Sequence, residues 1–378
     1  MKILAIDDQQ LILLSLEKRL IELGYDVKTA DSGNIGIEIF KDFKPDLVIV
    51  DINMPGMSGL DVVKHIRIEQ KSTTPIMVMS GNTDEKIIVN GFDLGIDDYM
   101  KKPVSLNEVA ARVKRIIGKP AINTEKSNSD GQMLQEYCVG VVIPCYNEQD
   151  RLSGKEFKDF VHNNLGYHLC FVNDGSTDKT LEVLEELRKG NETKISIFNC
   201  EKNGGKAEAV RQGVLHIAKD PQLDYIGYLD ADLSTDFRDF DDLVRTIEKS
   251  DFKIVSGSRM SRMGANITKE SARALISKTI NLIIRSILKM PFNDTQCGAK
   301  IMDKEIAELV FDKKFITRWL FDVEIFMRMR KHYGREKVLQ IICEQPLKRW
   351  IHADGSKLSM KDSVKIVGQL AKIAVHYN

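Results

Sequence analysis

The chain has 378 residues, 43% hydrophobic and 29% charged, which is enough for two or three domains with ordinary buried cores. Lys plus Arg and Asp plus Glu number 55 each, so no overall charge points to nucleic acid, and none is expected as a partner. The six cysteines stand at no metal or redox spacing, as in a reduced, intracellular protein. No run of about 18 uncharged apolar residues occurs, and MKILAIDDQQ meets acid too soon for a signal peptide. A cytoplasmic location is expected, with peripheral contact at the inner face of the membrane left open.

Residues 1–118 alternate short β-rich runs with helical patterns. KILAID precedes a helix near Gln9–Leu23, DLVIVD precedes Leu60–Glu69, and PIMVMS precedes Asp84–Leu94. This is a βα repeat around a parallel sheet. Functional groups in such sheets collect at the carboxyl ends of strands. Asp7 and Asp8 end the first strand, Asp51 the third and Ser80 the fourth, while Lys102 follows Tyr99 and Met100. Three converging acids raise one another's pKa unless a cation joins them, and an all-oxygen set suits Mg²⁺.

This stretch resembles the receiver domain of bacterial response regulators over nearly all of 1–118, through the acids at 7–8, VIVDINMPGMSG around Asp51, Ser80, Tyr99, and Lys102 before the cis-prone Pro103. The resemblance implies a flavodoxin-like, doubly wound domain whose Asp51 accepts a phosphoryl group from a sensor histidine kinase. Asp7, Asp8 and Asp51 would supply the Mg²⁺ site. Ser80, Tyr99 and Lys102 would be the switch residues that report phosphorylation.

From 119 to 136 the chain is polar and nearly free of large apolar residues, and a linker is expected there. A second βα series follows over 137–378, opening at VGVVIPCYN and continuing through HLCFVND, KISIFNC, DYIGYLD and FKIVSGS. Its strand ends carry Pro144, Tyr146, Asn147 and Glu148, then Asp174, then Gly204, Gly205 and Lys206, and finally Asp230 and Asp232 in DADLST. An aromatic beside an amide and an acid suits a nucleobase. Glycines and cations at a helix start suit a diphosphate, and a paired acid suits a divalent ion. Taken singly, each motif is equally a helix start or a polar cap. Their order along one sheet is what carries information.

This half resembles the inverting GT-A glycosyltransferase family of cellulose and dolichyl-phosphate sugar synthases, most of all the dolichyl-phosphate glucosyltransferases. The similarity spans roughly 138–355, through VVIPCYNE, VNDGSTDKT, KNGGKAEAVRQG, YLDADLST, SGSR, NDTQCGAKIM and RWLFDVEIF. It implies that Pro144, Tyr146, Asn147, Glu148, Asp174, Lys206 and Asp230 bind the nucleoside diphosphate sugar, a UDP-sugar being favoured. Asp230 and Asp232 would hold Mg²⁺ or Mn²⁺. Arg259, Asp294 and Asp322 would stand on the acceptor side with Asp232 in the catalytic set, and the acceptor would be a polyprenyl phosphate or another glycan acceptor. Asn173 stands where many relatives carry a first Asp, and the membrane anchor of several relatives is not expected in this chain.

Other residues leave choices open. Ile276, Ile280, Ile283, Ile284 and Ile287 share one helical face, with Lys278, Arg285 and Lys289 opposite. That face suits core packing, a subunit contact or an anionic membrane. Arg262 or Arg273 would join Arg259 at an acceptor phosphate. Asp322 is either a site residue or a helix-start carboxylate, and the stretch holding His352 and Lys357 is either a loop that folds over the diphosphate or one with no functional part. The competing functions are transfer to a polysaccharide or protein, which requires a general base, and a non-catalytic sugar-nucleotide sensor. The receiver is expected to regulate transfer, localisation or assembly, with a homodimer as the favoured assembly.

Overall fold

The computed structural model describes residues 1–81, 85–118, 120, 133–260, 266–267, 271–350 and 360–377. The chain forms two compact units, Met1–Cys138 with Lys158–Tyr167, and Val139–Phe157 with His168–Asn378. Most of the expected linker, together with Arg262, His352 and Lys357, lies outside the described residues, as do the side chains of Arg273, Ile276 and Lys278.

In the first unit the order is β1 (Lys2–Ile6), α1 (Gln10–Glu22), β2 (Asp26–Ala30), α2 (Gly33–Phe43), β3 (Leu47–Asp51) and α3 (Gly59–Lys64). A π-helical turn, His65–Glu69, extends α3. Then come β4 (Ile76–Ser80), α4 (Glu85–Leu94), β5 (Asp98–Lys101), the two-residue β6 (Val104–Ser105) and α5 (Leu106–Ile117). The sheet order is β2-β1-β3-β4-β5, all parallel. LVIVD of β3 and IMVMS of β4 are buried at every position, because helices cover both faces. One core layer contains Ile3, Leu16, Ile49 and Val109, and the other Leu4, Val50, Val62 and Val78.

The second series runs β7 (Met133–Cys145), α6 (Gly154–Asn163), β8 (Asn164–Asn173), α7 (Thr180–Arg188), β9 (Ile195–Asn199), α8 (Lys206–Ile217), β10 (Tyr225–Leu229) and α9 (Phe237–Glu248). It continues with β11 (Ile254–Ser258), β12 (Asn266–Ile267), α10 (Ser271–Leu288), β13 (Ala299–Asp303), α11 (Lys304–Phe311) and α12 (Phe321–Tyr333). Last come α13 (Arg335–Ile341), β14 (Ile342–Pro346), β15 (Arg349–Trp350) and α14 (Met360–Tyr377). The main sheet has the order β14-β11-β13-β10-β7-β8-β9. β10 is parallel to β7, and β13 lies antiparallel between β10 and β11.

That reversal positions the site. Leu229, the last residue of β10, pairs with Ala299, the first of β13, while Ser256 of β11 pairs with Lys300. DADLST, TQCG and GSR, which are distant in sequence, therefore leave the sheet at one edge.

α10 resolves its apolar face only in part. Ile284 and Leu288 are buried, Ile280, Ile283 and Ile287 are half-buried, and Leu282 is 68% exposed. Arg330 donates to the carbonyls of Ile287 and Leu288, holding the carboxyl end of this helix. No helix among the described residues is long and apolar enough to cross a membrane.

Candidate functional site

In the first unit the carboxylates of Asp7, Asp8 and Asp51 approach within 4.8 Å of one another. Lys102 is buried beside them, with Nζ 2.8 Å from Asp7 Oδ2 and 3.1 Å from Asp51 Oδ2. Burial pushes the Asp7 carboxyl up to about 6; Asp51 adds to that shift and Lys102 opposes it. Burial also raises Asp8, with Asp51 again contributing. Burial alone would lower the Lys102 ammonium, but Asp7 and Asp51 raise it more, so it stays charged. Asp51 Oδ1 is buried with no hydrogen-bond partner among the described residues. An orphaned carboxylate oxygen within an all-oxygen trio fits a hard divalent cation, and this cluster can hold one.

The backbone around Asp51 is equally specific. A side chain at Gly59 would put its Cβ 2.0 Å from the Asp51 carbonyl oxygen, so only glycine lets α3 start this close to β3. Ser80 is fully buried at the end of β4, Tyr99 is half-buried on β5, and the Lys102–Pro103 bond is cis.

In the second unit Asp230 joins three segments. Its carboxylate is ion-paired with Lys206 at 2.5 Å, and its amide donates to the Gly298 carbonyl. A Cβ at residue 298 would lie 1.9 Å from Asp230 Oδ2, so the glycine of TQCG is the floor on which this carboxylate rests. Burial alone would lower the Lys206 pKa, but Asp230 and then Asp322 raise it above its ordinary value. Asp232 is exposed, and its Oδ1 accepts from the amide and hydroxyl of Ser234. Both carboxylates are oxygen donors of the kind that Mg²⁺ or Mn²⁺ takes, with Asp230 held by Lys206 and Asp232 by Ser234.

The residues expected to meet the nucleoside are held by local capping. Asn147, with φ +52°, accepts from the Thr177 amide at 2.9 Å and donates its own amide to Ser176 Oγ. Glu148 pairs with Arg151 and donates its amide to Thr180 Oγ1. Burial raises the Glu148 carboxyl, Arg151 opposes that, and Asp232 adds to it. Pro144 is half-buried, and Tyr146 is 46% exposed.

The glycine loop differs from expectation. The amides of Gly204 and Gly205 donate to the two carboxylate oxygens of Asp174, at 2.8 and 2.9 Å. The start of α8 is therefore filled by a side chain, because Asp174 at the end of β8 reaches it first. Burial raises the Asp174 carboxyl, and the two amides offset this only in part. Arg318 packs against Gly205, and its carbonyl accepts from the Ala207 amide.

Asp294 and Arg259, expected on the acceptor side, form a fork-to-fork pair. Arg259 Nε and Nη2 lie 2.7 and 2.8 Å from Asp294, which also accepts from the Arg259 and Gln296 amides. Burial alone would raise the Asp294 carboxyl, but Arg259 holds it below its ordinary value. Asp322 is buried at the start of α12 and accepts from Tyr228 Oη and, at 2.6 Å, from Lys300 Nζ.

Sequence reasoning missed the residues that hold these groups. Lys300 is fully buried and donates to the carbonyls of Thr295 and Cys297 and to Asp322, which fixes the TQCG turn. Glu344 of β14 accepts from the amides of Asn293 and Asp294 and from Ser258 Oγ. A lysine inside the short apolar strand AKIMD was the available signal for Lys300. Glu344 gave none.

These two sheets and their strand-end residues define the class: a flavodoxin-like receiver fold followed by a Rossmann-like GT-A glycosyltransferase fold. Residues 3–114 match the response regulator receiver domain family, and residues 140–311 match glycosyl transferase family 2. The dolichyl-phosphate beta-glucosyltransferase of Dictyostelium discoideum is 29% identical over 257 residues, covering 63% of this chain and 74% of that protein. Its Saccharomyces cerevisiae namesake is 29% identical over 298 residues, 73% of this chain and 83% of that protein. The alkaline phosphatase synthesis transcriptional regulatory protein PhoP of Bacillus subtilis is 35% identical over 176 residues, 44% of this chain and 72% of that protein. The chain belongs to the response regulators through its first domain and to glycosyl transferase family 2 through its second.

Proposed function

We propose that this chain is a phosphorylation-regulated inverting transferase that moves a hexose from a nucleoside diphosphate sugar to a polyprenyl phosphate. The observation that carries the reading is the convergence on Asp230, where Lys206, the DADLST turn and Gly298 of TQCG meet. The similarity to dolichyl-phosphate beta-glucosyltransferases supports a lipid phosphate as acceptor.

Residues at the ends of β7 and β8, from Pro144 to Glu148 and at Asp174, bind and orient the nucleoside. Lys206 neutralises the diphosphate as it departs. Asp230 and Asp232 would hold Mg²⁺ or Mn²⁺, which when bound supplies further charge neutralisation to the leaving diphosphate. Arg259, aimed by Asp294, holds the acceptor phosphate for in-line attack on the anomeric carbon. The new C–O bond forms as the bond to the diphosphate breaks, and an α-linked donor yields a β product.

An acceptor phosphate is already ionised near neutral pH and needs no strong base. This favours polyprenyl phosphate over a polysaccharide or protein hydroxyl. Asp294 is tied to Arg259 and Asp322 to Lys300, so neither of the two acceptor-side carboxylates is poised as a base.

In the receiver, an Asp51 carboxylate oxygen would attack the phosphorus of a phosphohistidine on a sensor kinase, and the histidine nitrogen would leave. Lys102 stands beside the added charge, about −1.5 to −2, and Asp7, Asp8 and Asp51 would hold Mg²⁺, which when bound supplies further charge neutralisation. The switch would run through Ser80 and Tyr99.

Calorimetric titration of the full chain with a UDP-sugar and Mn²⁺ tests the transferase half. Asp232→Ala in a folded protein should nearly abolish metal-dependent binding. Unchanged metal-dependent affinity would remove Asp232 from the site.

A further inference from the structure

We propose that segment 312–319, DKKFITRW, is a docking surface for an anionic lipid bilayer. The segment links α11 to α12 and is held with unusual completeness from beneath. Arg328 donates to the carbonyls of Val310, Lys313 and Lys314 at 2.6–2.8 Å, and its guanidinium stacks on Phe315 at 4.3 Å. Glu324, fully buried, accepts from the amides of Ile316 and Thr317 and from Thr317 Oγ1. Tyr377 of α14 bonds to both Arg328 and Glu324.

The backbone is thus clamped, with Phe315 and Thr317 turned inward, while Lys313, Lys314, Ile316 and Trp319 face outward. Lys313 and Lys314 are exposed, Ile316 is 41% exposed and Trp319 is 66% exposed, while the exposed Arg318 lies over Gly205. With Asp312 the one acid, the segment carries three positive charges against one negative, a net +2. A protein that needed this loop only to connect two helices would gain nothing from exposing an indole and an isoleucine on a fixed frame. Apolar and aromatic side chains flanked by lysine and arginine match the interface of an anionic bilayer, with the ring and the isoleucine at headgroup depth and the cations on lipid phosphates. Pre-ordering the backbone also removes much of the entropy cost of docking.

The inference deepens the reading above, in which the acceptor is a lipid phosphate. It is testable apart from that reading because vesicle capture needs no acceptor. Full-length protein is sedimented with vesicles of phosphatidylcholine containing about 30% phosphatidylglycerol, and with phosphatidylcholine alone. Capture by the anionic vesicles is expected. It should fall by at least about tenfold in the Lys313→Glu, Lys314→Glu double variant and clearly in Ile316→Ser. The sequence holds two tryptophans, so Trp350→Phe leaves Trp319 as the only indole, whose emission should move to shorter wavelength on binding. Transfer to a short-chain acceptor in detergent by the Lys313, Lys314 and Ile316 variants should equal that of wild type. No capture, equal capture of the loop variants, or capture with unmoved Trp319 emission would each overturn the docking surface. Capture without any transfer activity would sustain the surface and count against the acceptor instead.

Discussion

Lys206 Nζ lies 2.5 Å from Asp230 Oδ1, so the first acid of DADLST is already paired with a cation from the neighbouring helix start. A divalent ion at Asp230 and Asp232 would compete with Lys206 for that carboxylate. Lys206 released in this way would be free to meet the donor diphosphate.

Lys206→Met should therefore bind Mn²⁺ more tightly in the absence of donor, by about tenfold, since one positive charge beside the ion is removed. Affinity for a UDP-sugar in the presence of Mn²⁺ should fall. Titration of Mn²⁺ followed by water proton relaxation measures the first effect. Wild-type Mn²⁺ affinity in the variant would show that Lys206 does not compete.

Lys300→Met should destabilise the second domain strongly. It strands the buried Asp322 carboxylate without its cation and leaves the Thr295 and Cys297 carbonyls unpaired. Breaking one side of a buried ion pair costs about 3–5 kcal/mol. Urea unfolding followed by circular dichroism reads this directly. A loss under about 1 kcal/mol would mean that the turn does not depend on Lys300.

The receiver site should respond to pH in two opposite ways. Burial raises Asp7 from the usual 3.8 to about 6. Between these values the folded chain keeps a proton that the unfolded chain releases. Asp7's contribution to stability is thus present below about pH 4 and lost as pH rises through about 6. Mg²⁺ runs the other way, because it requires the ionised carboxylate. Mg²⁺ affinity should be about tenfold weaker at pH 5 than at pH 7.5. Calorimetric titration at both values checks it, and equal affinities would contradict a protonated Asp7.

Acetyl phosphate with Mg²⁺ should add one phosphoryl group to wild type and none to Asp51→Ala. Phosphorylated wild type should roughly double its mass-average size in light scattering as receivers pair. Confirmed phosphorylation with constant size would exclude the dimer.

Much of this architecture was legible in the sequence because strand ends announce themselves. Asp7, Asp51 and Ser80 end or follow apolar runs of the right length, and Asp230 follows YIGYL. The convergence of DADLST with TQCG was not legible in the same way. It depends on β13 running antiparallel beside β10, a pairing that joins residues about seventy positions apart. Lys300 and Glu344 were hidden for the same reason, since their partners become neighbours only after the sheet closes. Gly204 and Gly205 suggested a phosphate cradle because an open helix start and one filled by Asp174 look alike in sequence. The isoleucines of α10 recur at helical spacing, but periodicity does not give depth: Ile284 is buried, Ile280, Ile283 and Ile287 are half-buried, and Leu282 is exposed.

The central claim is transfer of a hexose to a polyprenyl phosphate, and radiolabel transfer tests it most directly. Purified full-length protein is incubated with a labelled UDP-hexose, Mg²⁺ or Mn²⁺, and a short-chain polyprenyl phosphate, with Asp232→Ala in parallel. Label should enter the organic phase as a β-linked, mild-acid-labile lipid monophosphate sugar in the wild-type reaction only. If the protein binds a nucleoside diphosphate sugar yet forms no lipid-linked product with any hexose donor tried, the proposed acceptor is wrong.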